Sequence, residues 1–140
     1  MKLKILATTA LLATMGLATT VRAASPDPVQ QLQTTKACQG CNLSGAKLND
    51  INLIGVDLSN ANLSGANLSN VNLTGANLSN ANVKNAKMMG TDLSNANLSA
   101  ADLSGADLSD ANLANVNLKD AKMCGAIMPD ASPAPCPSKP

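Results

Sequence analysis

The side chains with the widest chemical reach in this chain are its four cysteines, two of which stand in the sequence Cys38-Gln39-Gly40-Cys41. Cys-x-x-Cys spacing serves three chemistries: a dithiol redox pair, half of a metal site, or a structural bridge. A thioredoxin-like pair needs a helix N-terminus within a βαβ unit, and a zinc site needs four ligands at suitable spacing. Neither context surrounds Cys38 and Cys41. Cys124 and Cys136 lie twelve residues apart near the C-terminus, so the even count leaves room for two bridges.

The remaining candidates offer less. The sequence has no His, Glu, Tyr, Trp or Phe, and its single arginine is Arg22. General acid and base work would fall to Asp and Lys alone. Ser64, Ser69, Ser79 and Ser94 each follow a leucine and carry no base beside them, which marks them as outward corner residues and not nucleophiles. Asp102, Asp107 and Asp110 form a cluster of the kind that can hold a metal ion, but a solvated, charge-paired face explains it more simply. No catalytic, cofactor-binding or metal-binding residue is assigned. The lack of aromatic rings also removes base stacking and aromatic cages from the binding modes open to the chain.

Whatever these residues do, an unusual backbone must position them. In the stretch NLSGANLSNVNLTGANLSNAN, from Asn62 to Asn82, leucine returns every fifth residue. On an α-helix a step of five turns about 140° around the axis, so Leu63, Leu68, Leu73 and Leu78 would share no face. On a continuous strand an odd step sends successive leucines to opposite sides. A short extended piece resolves this. In Ala66-Asn67-Leu68 the two apolar residues lie two apart and share one face, while Asn67 points away. Ser69-Asn70 must then turn the chain before the next piece.

The turn has its own signature. A type II turn needs positive φ at its third position, which favours Gly and then Asn. From Gly45 to Asp130 that position is Gly, Asn or Asp in every repeat except at Ala100. Central apolar positions are Leu except for Val83, Met88, Met123 and Met128. Equal turns at equal intervals close the chain into coils, and stacked coils make a solenoid.

The tandem A(N/D)LSx units, eighteen in succession from Cys41 to Asp130, resemble the pentapeptide-repeat family. The resemblance implies an all-β fold, a right-handed quadrilateral β-helix with four repeats per coil. With twenty residues per coil, Asp107 is expected to stack over Lys87 and Lys122 over Asp102. About four and a half coils at a strand spacing near 4.8 Å make a rod of roughly 22 Å. The family is functionally diverse, so the resemblance says little about activity. Its DNA-mimicking members, which block gyrase, are strongly acidic and cytosolic, unlike this chain. Ice binding would ask for regular threonine arrays, and Thr74 stands nearly alone among outward Ser, Asn and Asp. A Cys-x-x-Cys directly before the first repeat is similar to exported cyanobacterial members.

In this register Cys38 is a central position and Cys41 the inward position of the next repeat, so the two bracket one turn within bridging distance. A structural bridge is the favoured reading, with buried thiols and redox or metal function as alternatives. Cys124 and Cys136 are then expected to pair and pin the tail. A bridge from either N-terminal cysteine to either C-terminal one is disfavoured by a separation of roughly 20 Å.

The chain ends complete the plan. Two lysines within Met1–Lys4, an apolar run from Ile5 to Val21 and Val21-Arg22-Ala23 predict a signal peptide over residues 1–23, with a retained membrane anchor as the alternative. Residues 24–40 form an N-terminal cap, in which Asp27-Pro28 followed by Val29 and Leu32 predicts a short capped helix. Residues 41–130 are the solenoid, and 131–140 a proline-rich tail whose prolines are expected to stop the pairing. Beyond Ala23, seven lysines face nine aspartates, a net charge of about −2 that implies neither nucleic acid nor membrane as partner. The outward apolar residues are Ile54 and Met89. The expected protein is exported to the periplasm, thylakoid lumen or outside the cell. It is no enzyme, needs no cofactor, is a monomer or weak dimer, and acts as a structural or interaction module for an unidentified protein partner. The alternative is a thiol–disulfide or metal-handling protein that uses Cys38 and Cys41.

Overall fold

Each repeat builds its own corner from local bonds. In the computed structural model, which describes residues 27–137, the Asn or Asp between the small and large apolar residues folds its side chain forward. Asn62 Oδ1 accepts from Ser64 N at 3.2 Å, and Asp92 Oδ1 accepts from Ser94 N at 2.9 Å. This local bond occupies an N–H that the turn would otherwise leave to solvent. The turn then closes as Ala66 N donates to Leu63 O at 3.0 Å. Gly65 sits at φ +66 with nothing within 4 Å of an added Cβ, so backbone conformation and not crowding selects glycine there. Ala100 adopts φ 56 in the same position, although its side chain gives no help toward that conformation. The neighbouring coils hold it there: Ala100 N donates to Lys119 O at 2.8 Å.

Corners repeated in register stack the chain upon itself. Parallel bridges join residues twenty apart, from Ala37 with Asp57 to Asp107 with Ile127. Each side is one bridge long because the corner arrives two residues later. In a representative layer Leu63 N donates to Asn82 O at 2.7 Å, Asn82 N to Ala61 O at 2.9 Å and Gly65 N to Lys84 O at 2.8 Å. The central apolar residues from Leu43 to Leu108 are buried, with Val83 and Met88 taking leucine places. The inward alanines fill the gaps between them. Thr91, the one buried polar side chain among the described residues, donates its hydroxyl to Leu68 O at 2.8 Å and so carries no unpaired group into the core.

The two ends are finished differently. Helix α1 (Pro28–Thr35) is capped by Asp27, whose carboxylate accepts from Val29 N at 3.0 Å, and it ends at Lys36 with φ 50. Its Leu32 is fully buried and Val29 packs against the core, so the first coil is covered. At the other end Leu113, Leu118, Met123 and Met128 are only half-buried. The final corner also departs from the repeat rule, since the left-handed residue is Ala131 and not Asp130. The prolines do not end all pairing, contrary to expectation. The tail folds back, Pro133 lies antiparallel to Ile127, and Ala134 N donates to Ala126 O at 2.7 Å. Pro133 is tolerated because its neighbour Ala134 supplies the donor. The expected signal peptide, residues 1–23, lies outside the described residues.

Single substitutions separate the inward from the outward register. Leu68→Asp should abolish cooperative folding, because a carboxylate at that buried site has no partner. Asn67→Asp should change stability by less than about 0.5 kcal/mol, since Asp accepts the same corner N–H. Asn77→Asp should cost roughly 0.2–1 kcal/mol at neutral pH, because it stacks a second carboxylate on Asp57. Thermal unfolding followed by circular dichroism measures all three.

Candidate functional site

The groups singled out for chemistry fall into three places. Cys38 and Cys41 are bonded across the first corner with Cα atoms 5.2 Å apart, and Cys41 N donates to Cys38 O at 3.2 Å within the same turn. Gly40 supplies the left-handed residue between them at φ 66. Cys38 is 1% exposed, with its sulfur 3.8 Å from the Pro28 carbonyl of α1. Cys124 and Cys136 are bonded with Cα atoms 4.3 Å apart, and both are exposed. The first pair joins a corner to the core, while the second ties the tail to the last coil.

The aspartates do not assemble as a metal site. Among the described residues no three potential ligands come together. The expected pairing of stacked charges is also corrected. Lys87 and Asp107, and Asp102 and Lys122, are bridge partners in the backbone, yet the ion pair among the described residues is Lys84 Nζ with Asp102 at 3.2 Å. Asp102 and Asp107 turn instead toward their own corners, where Ser104 Oγ and Ser109 Oγ each donate to them at 2.6 Å. Ser132 Oγ donates to Asp130 in the same way, and the Ser94 hydroxyl also bonds Asp92, so the expectation that Ser94 has no base beside it is corrected.

That contact does not make an activated hydroxyl. The Ser109 hydroxyl and its backbone N–H hold the Asp107 carboxyl below the usual carboxylate range. For Asp102 burial pushes upward, but the Ser104 hydroxyl, the Ser104 N–H and Lys84 outweigh it, and the net shift is downward. A carboxylate that binds protons less readily is a poorer base. The same capture lowers Asp57, chiefly through Gln39, and Asp92, chiefly through the Ser94 N–H. Asp57 also ends an amide ladder in which Asn117, Asn97 and Asn77 each donate to the residue one coil below, at 3.0, 3.3 and 3.3 Å.

The third place was not legible in the repeat. A cleft of about 570 Å³ opens between the last coil and the returning tail, lined by Ala121, Met123, Met128, Ala134, Pro135 and Pro137 among others. The switch from Leu to Met at 123 and 128, beside a proline-rich tail, was the available signal. Ile127 is exposed nearby, in addition to Ile54 and Met89.

The match to known proteins follows the coils. The family model for pentapeptide repeats matches in eight copies over residues 38–75, 57–95 and 91–128. The chain belongs to the pentapeptide-repeat family. This family is generally one of non-catalytic repeat proteins, and membership implies a right-handed β-helix. Among solved pentapeptide-repeat structures, HetL of Nostoc sp. strain PCC 7120, involved in heterocyst differentiation regulation, is 35% identical, with a TM-score of 0.38 over 70% of this chain. The present chain spans 53% of HetL. Rfr23 of Cyanothece 51142 is 29% identical over 68% of this chain and 92% of its own, with a TM-score of 0.42. A pentapeptide-repeat protein of the Arabidopsis thaliana thylakoid lumen is 31% identical over 63% of this chain and 65% of its own, with a TM-score of 0.36. No curated protein matches the chain.

The pentapeptide corner makes stability depend on acid in a defined direction. Asp57, Asp92, Asp102 and Asp107 have folded pKa values below their unfolded ones, so their contribution is fully present above the unfolded value, about 4. It is lost as pH falls through the folded values. The melting temperature should therefore stay level from pH 7 to about 5 and decline below about 4. Asp92→Asn, which keeps the corner acceptor, should make that decline shallower.

Proposed function

We propose that this chain is an exported, non-catalytic, right-handed quadrilateral β-helix that serves as a structural or protein-interaction module. The observation that carries the reading is the state of the cysteines: both pairs are joined, one across a corner and one across the tail. Paired structural cysteines belong with an oxidising compartment such as the periplasm or the thylakoid lumen. The lysines of Met1–Lys4 and the apolar run from Ile5 to Val21 support the same destination. Among the described residues no helix is long and apolar enough to cross a membrane.

An interaction role fits the surface chemistry. The outward Asn and Asp side chains midway along the sides are committed to their corners, which leaves a stiff scaffold. Thiol–disulfide or metal handling through Cys38 and Cys41 fits less well, because the Cys38 sulfur lies buried against the first turn of α1. Exchange needs in-line access to a sulfur.

Alkylation and mass mapping of protein taken from the periplasmic or lumenal fraction test the proposal. The expected result is no free thiol, with Cys38 linked to Cys41 and Cys124 to Cys136 within one chain. Two free thiols at Cys38 and Cys41 in that fraction, or recovery of the protein only from the cytosol, would turn the assignment toward the alternative. Crosslinking in the native compartment should then recover one protein partner in fixed proportion.

A further inference from the structure

The last coil ends in backbone groups of the kind that every lower coil uses for stacking. Below it, the inward small residue turns its carbonyl toward the next coil and the central apolar residue turns its N–H the same way, as Ala61 O and Leu63 N do toward Asn82. In the last coil the matching groups are Ala111 O with Leu113 N, Val116 O with Leu118 N, and Ala121 O with Met123 N. None of them has a backbone partner among the described residues. The fourth side is closed by the tail: Ala126 O accepts from Ala134 N, and Met128 N donates to Ser132 O, both at 2.7 Å. An antiparallel segment therefore already sits on this edge, and Cys124–Cys136 ties it down.

The core beneath is unfinished as well, with Leu113, Leu118, Met123 and Met128 half-buried. Open edges of this kind recruit other chains. The N-terminal end of another copy cannot fill the place, because α1 lies over that end with Leu32 buried. Two C-terminal faces brought together run antiparallel on every side, and one register satisfies their groups. With a two-fold axis at the Lys119–Asp120 corner, Leu118 N meets Ala121 O of the other copy and Met123 N meets Val116 O of the other copy. Lys119 then faces Asp120 of the other copy, so the charges at the axis are complementary. In the same register Leu113 N and Ala111 O face Ala126 O and Met128 N of the other copy, which are the two groups the tail occupies.

We propose that the C-terminal face docks a second copy of this chain, and that the disulfide-held tail is a guard removed by reduction. The reductant is a dithiol. One of its thiolates attacks a sulfur of Cys124–Cys136, and its second thiol resolves the mixed disulfide. The reductant leaves as a disulfide, and two electrons and two protons remain on the two cysteines. Both C-terminal cysteines are exposed, while Cys38 is buried and Cys41 half-buried, so exchange reaches the C-terminal pair first. The freed tail, held by backbone bonds at Gly125, Ala126 and Met128 and by the buried Ala134, gives up its place to a full coil, which pairs on all four sides.

Sedimentation of the full chain at rising concentration tests this, in the oxidised form, after dithiol treatment, and as Cys124→Ser/Cys136→Ser, with circular dichroism on each. The oxidised protein should be monomeric, and both opened forms should dimerise with an association constant higher by about tenfold or more. Lys119→Asp on the opened background should reverse that gain, because it gathers acids at the axis. Opened forms that stay monomeric with unchanged spectra, oxidised protein that dimerises as tightly, or indifference to Lys119→Asp would each overturn the proposal. If the double variant loses its β-type spectrum, wild-type protein mapped as reduced only at Cys124–Cys136 decides by the same two results.

Discussion

A corner every five residues, with its third position in the left-handed region, is the constraint on which the rest of this molecule depends. The inward leucines share a core only because the backbone turns the same way before each of them. Gly65, Asn70 and Gly75 reach φ 66, 58 and 66 at successive corners, and the Asn or Asp three residues earlier ties the turn from the other side. Local bonds thus prepare the shape and stacking then uses it. The energy of the fold is correspondingly shared: no side is longer than one bridge, and each coil is held mainly by its neighbours.

The same economy governs where the carboxylates of the surface go. A carboxylate placed midway along a side has its corner N–H within reach two residues on, and Asp57, Asp92, Asp102 and Asp107 all take it. Once captured, these groups hold their charge more firmly and accept protons less readily. The amide ladder from Asn117 to Asp57 follows from the same placement, since identical positions recur one coil apart and short side chains can touch only along the stack.

A solenoid cannot satisfy its own ends, and the two solutions here differ in kind. The N-terminal end is covered by an apolar helix edge, which suits an end whose core side chains need shielding. The C-terminal end is covered on one side by a returning segment and a disulfide, leaving three sides and a cleft open. At the last coil the repeat's internal bonding has run out and the Met-lined core meets solvent.

The sequence by itself determined the coil: leucine spacing set the inward register, corner residues set the turns, and Asp27-Pro28 set the start of α1. These are properties of five or fewer neighbouring residues repeated in order, so periodicity makes them legible. The pairing of Cys38 with Cys41 was legible for the same reason, since both flank one turn. What lies one coil away was harder to read. Stacking over Lys87 and Lys122 suggested ion pairs for Asp107 and Asp102, but a side chain chooses between the coil above and its own corner, and the corner is nearer. At Ala100 neighbouring coils impose a conformation that its side chain does not favour. The half-buried Leu113, Leu118, Met123 and Met128, the antiparallel return at Pro133 and the shift of the last left-handed residue to Ala131 were decided by tertiary structure alone. Their common cause is the missing next layer, because burial and pairing at a repeat depend on what is stacked against it.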